Sequence, residues 1–149
     1  VNAIIRPQPQ RRYLLLALAA LPAACTRDDP ERELRATIAR MAQAIEQREV
    51  GDFLNALAED FTRESGTFGK QEAKRVLAGV LLRNEKISVT AVVTDVRIEG
   101  QRAFAKVRVV AAGGQGLLPE RGQTWDFESN WRRDGSAWKV FNAEWREGL

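Results

Sequence analysis

The sequence predicts an α+β domain whose N-terminal helices pack into the concavity of a curved antiparallel sheet. Three observations lead there. Apolar residues recur at helical spacing from Leu34 to Leu81, then alternate with polar ones from Ile87 onward. A change of period from 3.6 to 2 separates helices from strands. The alternation also slips phase near Val92-Val93 and between Val140 and Phe141, and a β-bulge at each slip would bend the sheet. At 149 residues, 44% hydrophobic and 29% charged, the chain suits one globular domain.

The first element is a leader. Arg11-Arg12 precedes the apolar run Tyr13 to Leu21, and Pro22-Ala23-Ala24-Cys25 follows. Positive flank, short apolar run and small-residue site together read as a signal peptide over residues 1–24. At about 1.5 Å per residue the run spans about half of a roughly 30 Å hydrocarbon core, so it is not read as a spanning helix. Leu21 to Cys25 resembles the bacterial lipobox, in which the Cys is acylated and becomes the new N-terminus. Pro22 departs from that motif, leaving ordinary cleavage and a soluble periplasmic product as the alternative. Cys25 is the only Cys, and an unpaired thiol in an oxidising compartment fits a lipid attachment point. Thr26, not Asp, follows Cys25, which by resemblance to Gram-negative sorting implies an outer-membrane anchor facing the periplasm. The expected organisation is a signal peptide (1–24), a lipidated tether (25–30) and a folded domain (31–149).

Within the domain, Asp29-Pro30 reads as an N-cap with Pro at the first helical position, followed by Glu31 and Glu33 in the first turn. Leu34, Ile38, Met41 and Ile45 give one apolar face to about Arg48. Gly51 is expected to end that helix, and Asp52 to cap a shorter one carrying Phe53, Leu54, Leu57 and Ala58. Phe61 to Gly69 reads as strand and loop. Lys70 to Arg83 reads as a third helix, with Ala73, Val76, Leu77, Val80 and Leu81 on one face.

Ile87 to Ile98 is a long strand, and Glu99-Gly100 is a tight-turn signal. In the next strand Ala103, Ala105, Val107 and Val109 alternate with Arg102, Lys106 and Arg108. A Gly-rich loop spans Ala112 to Gly122. Trp125, Phe127, Ser129 and Trp131 then alternate with Thr124, Asp126, Glu128 and Asn130. Asp134-Gly135 turns the chain into a last strand with Trp138, Val140, Phe141, Ala143 and Trp145.

Composition excludes much chemistry. The chain has no His, its single Tyr is Tyr13, and Cys25 is its single thiol. Ser-His-Asp and Cys-His catalysis, His-based metal sites and disulfides are therefore not expected in the folded domain. No metal, cofactor or catalytic residue is assigned. Without Arg6, Arg11 and Arg12 the 23 basic side chains fall to 20, matching the 20 acidic ones. A neutral domain offers no electrostatic case for nucleic acid.

From Glu31 to Trp145 the chain resembles the nuclear transport factor 2-like superfamily, with its cystatin-like cone fold. The resemblance rests on the element order, on Asp52-Phe53-Leu54 followed by Leu57-Ala58-Glu59-Asp60-Phe61, and on the closing hairpin Arg133-Asp134-Gly135-Ser136-Ala137-Trp138-Lys139-Val140. It implies the cone fold and leaves function open, because the superfamily includes isomerases, dehydratases, cyclases, dimerisation modules and secreted proteins. The isomerases pair an Asp base with a Tyr-based oxyanion hole and the dehydratases rely on His and Tyr, so no catalytic residue carries over. The resemblance also implies that the open sheet face is a place for a homodimer.

The residues expected to face the cone interior are the carboxylates Asp60, Glu64 and Glu144, the polar groups Ser129 and Asn142, and the aromatics Trp125 and Trp138. A carboxylate walled by tryptophan would be pushed up in pKa and could serve as a general base. Against this, Asp60 could tie down a turn, and a bulge could send Asn142 and Glu144 to the surface. Arg102, Lys106 and Arg108 are expected to pair across the sheet with Asp126 and Glu128. The leading expectation is a lipid-anchored envelope protein whose cone binds a small apolar ligand or a protein partner without catalysis. The alternatives are a cofactor-independent isomerase, lyase or cyclase, and a structural dimerisation module. An open cone points to binding; one filled by Trp125, Phe127, Trp131 and Trp138 points to a scaffold.

Overall fold

A computed structural model describes residues 29–64, 66–114 and 122–148, together with the backbone alone at Arg121. The leader, Cys25 and most of the Gly-rich loop lie outside these residues. Helix α1 (Pro30–Glu46) opens as its sequence predicts, with the Asp29 carboxylate accepting from the Glu31 N–H at 3.0 Å. Leu34 and Ile38 on its inner face are buried. It ends earlier than expected, and not at Gly51. Arg48 adopts a left-handed backbone (φ 63°), a conformation disfavoured for a side chain with Cβ, and the chain turns there. Gly51 and Asp52 lie inside the next helix, α2 (Val50–Asn55), so Asp52 does not cap it; Glu49 holds the N-cap position without a side-chain hydrogen bond.

Leu57 and Ala58, expected on that helix, instead begin strand β1 (Leu57–Arg63). Helix α3 (Lys70–Arg83) has the predicted bounds. Leu77 and Leu81 are buried as expected, whereas Val76 is 55% exposed. Four strands follow: β2 (Lys86–Glu99), β3 (Arg102–Gly114), β4 (Arg121–Asp134) and β5 (Ala137–Glu147). Gly100 and Gly135 make the β2–β3 and β4–β5 turns with φ near 60°, a conformation that costs glycine little.

The five strands form one sheet in the order β1-β5-β4-β3-β2. Pairings among β2 to β5 are antiparallel, while β1 adds to β5 in parallel. Both phase slips in the sequence are real irregularities of register. One lies between Val93 and Asp95; the other is where Trp131 pairs with Val140 but Asn130 with Asn142, leaving Phe141 as the extra residue. The bent sheet wraps α1. Its core joins Leu34 and Ile38 to Phe61, Ala103, Ala105, Val107, Trp131, Trp138, Val140 and Ala143.

Helix α3 is tied down at both ends. At its start, the Gly69 N–H donates to the Glu72 carboxylate at 3.0 Å, and Lys70 Nζ reaches the Leu57 carbonyl at 3.2 Å. At its end, the Arg48 guanidinium donates to the carbonyls of Leu81 at 2.5 Å and Asn84 at 2.9 Å. Those are carbonyls left without helical partners, and a cation there also opposes the helix dipole favourably.

Candidate functional site: an apolar cone

Between α1, α3 and the concave face of the sheet lies a cavity of about 380 Å³. That volume is within the range of small-molecule sites. Its floor is well buried: Leu57, Trp131 and Val140 are each 3–4% exposed. Its walls rise through Val107, Val109 and Ala111 on β3, and through Phe127 and Trp125 on β4. Exposure climbs along the same path, to Val76 on α3 at 55%. The cone is thus closed at one end and open at the other. Small Ala and Val side chains on β3 leave the space that the large side chains of β4 and β5 border.

Among the described residues the lining is apolar except for Ser129 and the indole N–H groups. The Ser129 hydroxyl is already engaged, accepting from Trp131 Nε1 at 2.8 Å and donating to the Ala105 carbonyl at 3.0 Å. Ser129 therefore fixes the Trp131 ring in the floor. Towards the mouth, the Trp145 ring meets Phe68 edge-on at 5.2 Å and lies 5.6 Å from Phe127. The Arg63 guanidinium lies 4.3 Å from the centre of the same ring and donates to the Trp145 carbonyl at 2.8 Å. This is a cation–π contact that stiffens the wall.

Of the residues expected in the pocket, Trp125 and Ser129 line it. The others do not. Trp138 lies behind the floor at 2% exposure, its Nε1 donating to the Pro30 carbonyl at 3.1 Å. Asp60 is on the outer face, held in a two-point ion pair with Arg132, the shorter contact 2.5 Å. That pairing holds its carboxyl below the ordinary aspartate range. Asn142 donates to the Thr62 carbonyl at 3.1 Å and receives a bond from Asn130 at 3.4 Å. Glu64 and Glu144 are exposed. Glu144 is held above the ordinary glutamate range, first by its hydrogen bond with Glu64 and then by that group's charge.

The bulge explains two of these placements. Before Phe141 the inward residues are Trp138 and Val140; after it they are Ala143 and Trp145. Asn142 and Glu144 share parity with Trp138, but the extra residue turns them outward. Sequence reasoning also missed the helical half of the lining, Met41, Ala42 and Ile45 on α1 and Val76 and Val80 on α3. Met41, Ile45, Val76 and Val80 stand on the apolar helix faces that the spacing predicts, whereas Ala42 carries no such signal.

The outer face is a charge ladder. Lys106 meets Glu128 at 3.0 Å and Arg108 meets Asp126 at 2.8 Å, as expected. Arg102 instead stands opposite Arg132, and both guanidiniums lie near the Phe141 ring. No group of three or more potential metal ligands occurs among the described residues.

No protein-family model and no curated protein matches the sequence. Solved structures do match. A Bdellovibrio bacteriovorus protein, Bd1075, aligns over 79% of this chain with a TM-score of 0.67 and 13% identity. This chain spans only 40% of that protein's length. A candidate scytalone dehydratase from Novosphingobium aromaticivorans aligns over 80% of this chain and 84% of its own, with a TM-score of 0.70 and 13% identity. A Nostoc punctiforme protein of unknown function with a cystatin-like fold covers 79% of this chain and 90% of its own, at 0.59 and 15%. At such identities the likeness is one of fold alone: the chain folds as a cystatin-like cone of the NTF2-like type.

Proposed function

We propose that the cone is a non-catalytic binding site for a small apolar molecule. The observation that carries this reading is the cavity of about 380 Å³, whose one polar side chain besides the indoles among the described residues, Ser129, is already engaged within the wall. Such a site gains affinity from buried apolar area and offers no group to move a proton. The candidate scytalone dehydratase shares the fold, but this chain has no His and no Tyr beyond Tyr13. The carboxylate with the raised pKa, Glu144, sits on the outer face, away from the cavity.

The leader pattern supports placing this binding in the cell envelope, with Cys25 as the acylated anchor. Two acyl chains, at about 0.8 kcal/mol per buried CH₂, would hold the domain at a membrane. The outer sheet face is then free for a second copy or an envelope partner.

Mass spectrometry of protein extracted from cell envelopes tests both parts. The expected denaturing mass is that of a chain starting at an acylated Cys25. The expected native mass carries a non-covalent apolar adduct. A chain clipped without acyl groups would remove the anchor, and a native mass unchanged by added apolar ligands would remove the binding reading.

A further inference from the structure

Resting on the reading of the cone as a binding site, we infer that its ligand is the hydrocarbon chain of a lipid, inserted tail-first with the polar end left at the mouth. Three features of the cavity lead to this. First, among the described residues the lining holds no carboxylate, amide, amine or guanidinium, and its one side-chain hydroxyl oxygen already accepts from Trp131. A hydroxyl or N–H buried in the ligand body would therefore find, among the described lining residues, no side-chain oxygen acceptor beyond Ser129 Oγ, which already accepts one bond. Leaving such a group unpaired lowers affinity by roughly tenfold or more. Hydroxylated ring systems, whose polar groups are spread around the body, are selected against.

Second, the cavity is closed by Trp131, Leu57 and Val140 and opens beside Val76. A molecule with one polar end and a long apolar body matches that polarity, because its head stays in water while its body is enclosed. Third, at roughly 30 Å³ per group, the share of one water molecule, the cavity takes about a dozen non-hydrogen groups. That is a chain of about a dozen carbons. Linear acyl and branched isoprenoid chains share this chemistry.

Binding of the 1-alkanols from octanol to hexadecanol to the full-length protein separates the outcomes. The readouts are tryptophan fluorescence, since Trp125 and Trp145 border the cavity, and native mass. Affinity should rise about fourfold per added methylene, the value for burying one CH₂, and level off near a dozen carbons. Farnesol binding more tightly than tetradecanol would assign an isoprenoid chain, and the reverse order an acyl chain; either supports the inference. Val109→Trp, which fills the wall, should weaken dodecanol binding at least tenfold. Val110→Trp, at an exposed position on the same strand, should leave it unchanged and controls for folding.

If 2-naphthol binds more tightly than every alkanol, or affinity does not depend on chain length, the chain inference is overturned while apolar binding stands. If neither alkanols nor naphthol bind, the binding reading itself fails and this inference with it.

Discussion

At the closed end of the cone, Trp131 and Trp138 are 3% and 2% exposed, and each indole N–H has an acceptor, Ser129 Oγ and the Pro30 carbonyl. Towards the open end, Trp125 and Trp145 are half-buried and border the cavity. The four tryptophans of the chain are thus divided. Trp138 lies wholly in the core under α1, Trp131 belongs to that core and floors the cavity, and Trp125 and Trp145 line its walls. The difference follows from what faces them. Leu34 and Ile38 press on the closed end, and α1 with β2 and β5 surrounds it. Over the open end stands α3, secured at its two ends by Lys70 and Arg48. The choice between filled scaffold and open binding cone therefore has two answers, one at each end.

Substitutions at the two ends should separate them most strongly. Trp138→Ala should lower unfolding free energy by about 3–5 kcal/mol in denaturant titration, the cost of a large cavity in a packed core. Trp125→Ala should cost no more than about 1–2 kcal/mol, because its ring already borders open space. Equal losses at both positions would remove the distinction between the ends.

Next in size is Ser129→Ala. It removes the acceptor of the buried Trp131 N–H and should cost about 1–3 kcal/mol. Its expected signature is a loosened Trp131 ring, read as altered near-ultraviolet circular dichroism. An unchanged spectrum would mean the hydroxyl does not fix the floor. Arg48→Ala should cost about 1–2 kcal/mol and speed amide exchange in the last turn of α3, whose carbonyls Arg48 binds. No change in exchange would show that the α3 end does not depend on that guanidinium.

How far these features were legible in the sequence varies with their physical cause. Asp29-Pro30 and the limits of α3 were readable because caps and helical spacing are local. The bulge at Phe141 was readable as a phase slip. Its consequence, that Asn142 and Glu144 turn outward, was legible only as one of two open readings, because it depends on where the extra residue sits in the pairing with β4. The helix end at Arg48 carried no glycine signal, since an arginine holds the left-handed conformation. The parallel pairing of β1 with β5 was hidden because Leu57 to Arg63 lacks clean alternation. The outward course of Asp60 is fixed by Arg132, 72 positions away.

The smallest effects should come from the outer face, where two carboxylates shift in opposite directions. Asp60 is lowered by Arg132, so its contribution is present above the unfolded aspartate range and lost as pH falls through the folded value. Glu144 is raised by Glu64, so the folded chain holds its proton more tightly than the unfolded one, and stability declines as pH rises through that window. Asp60→Asn should therefore lag the parent at neutral pH and converge with it in acid. Glu144→Gln should match the parent in acid and gain on it towards neutral pH. Urea midpoints across pH 3 to 7 would show both, and parallel curves would refute the opposed shifts.

The central claim is that one end of the cone binds and the other only packs. The four indole N–H resonances in a proton–nitrogen spectrum, followed during titration with dodecanol, test it most directly. The account predicts that the Trp125 and Trp145 resonances move with saturation while that of Trp138 stays in place. A titration in which none moves, or in which Trp138 moves as far as the other two, would contradict it.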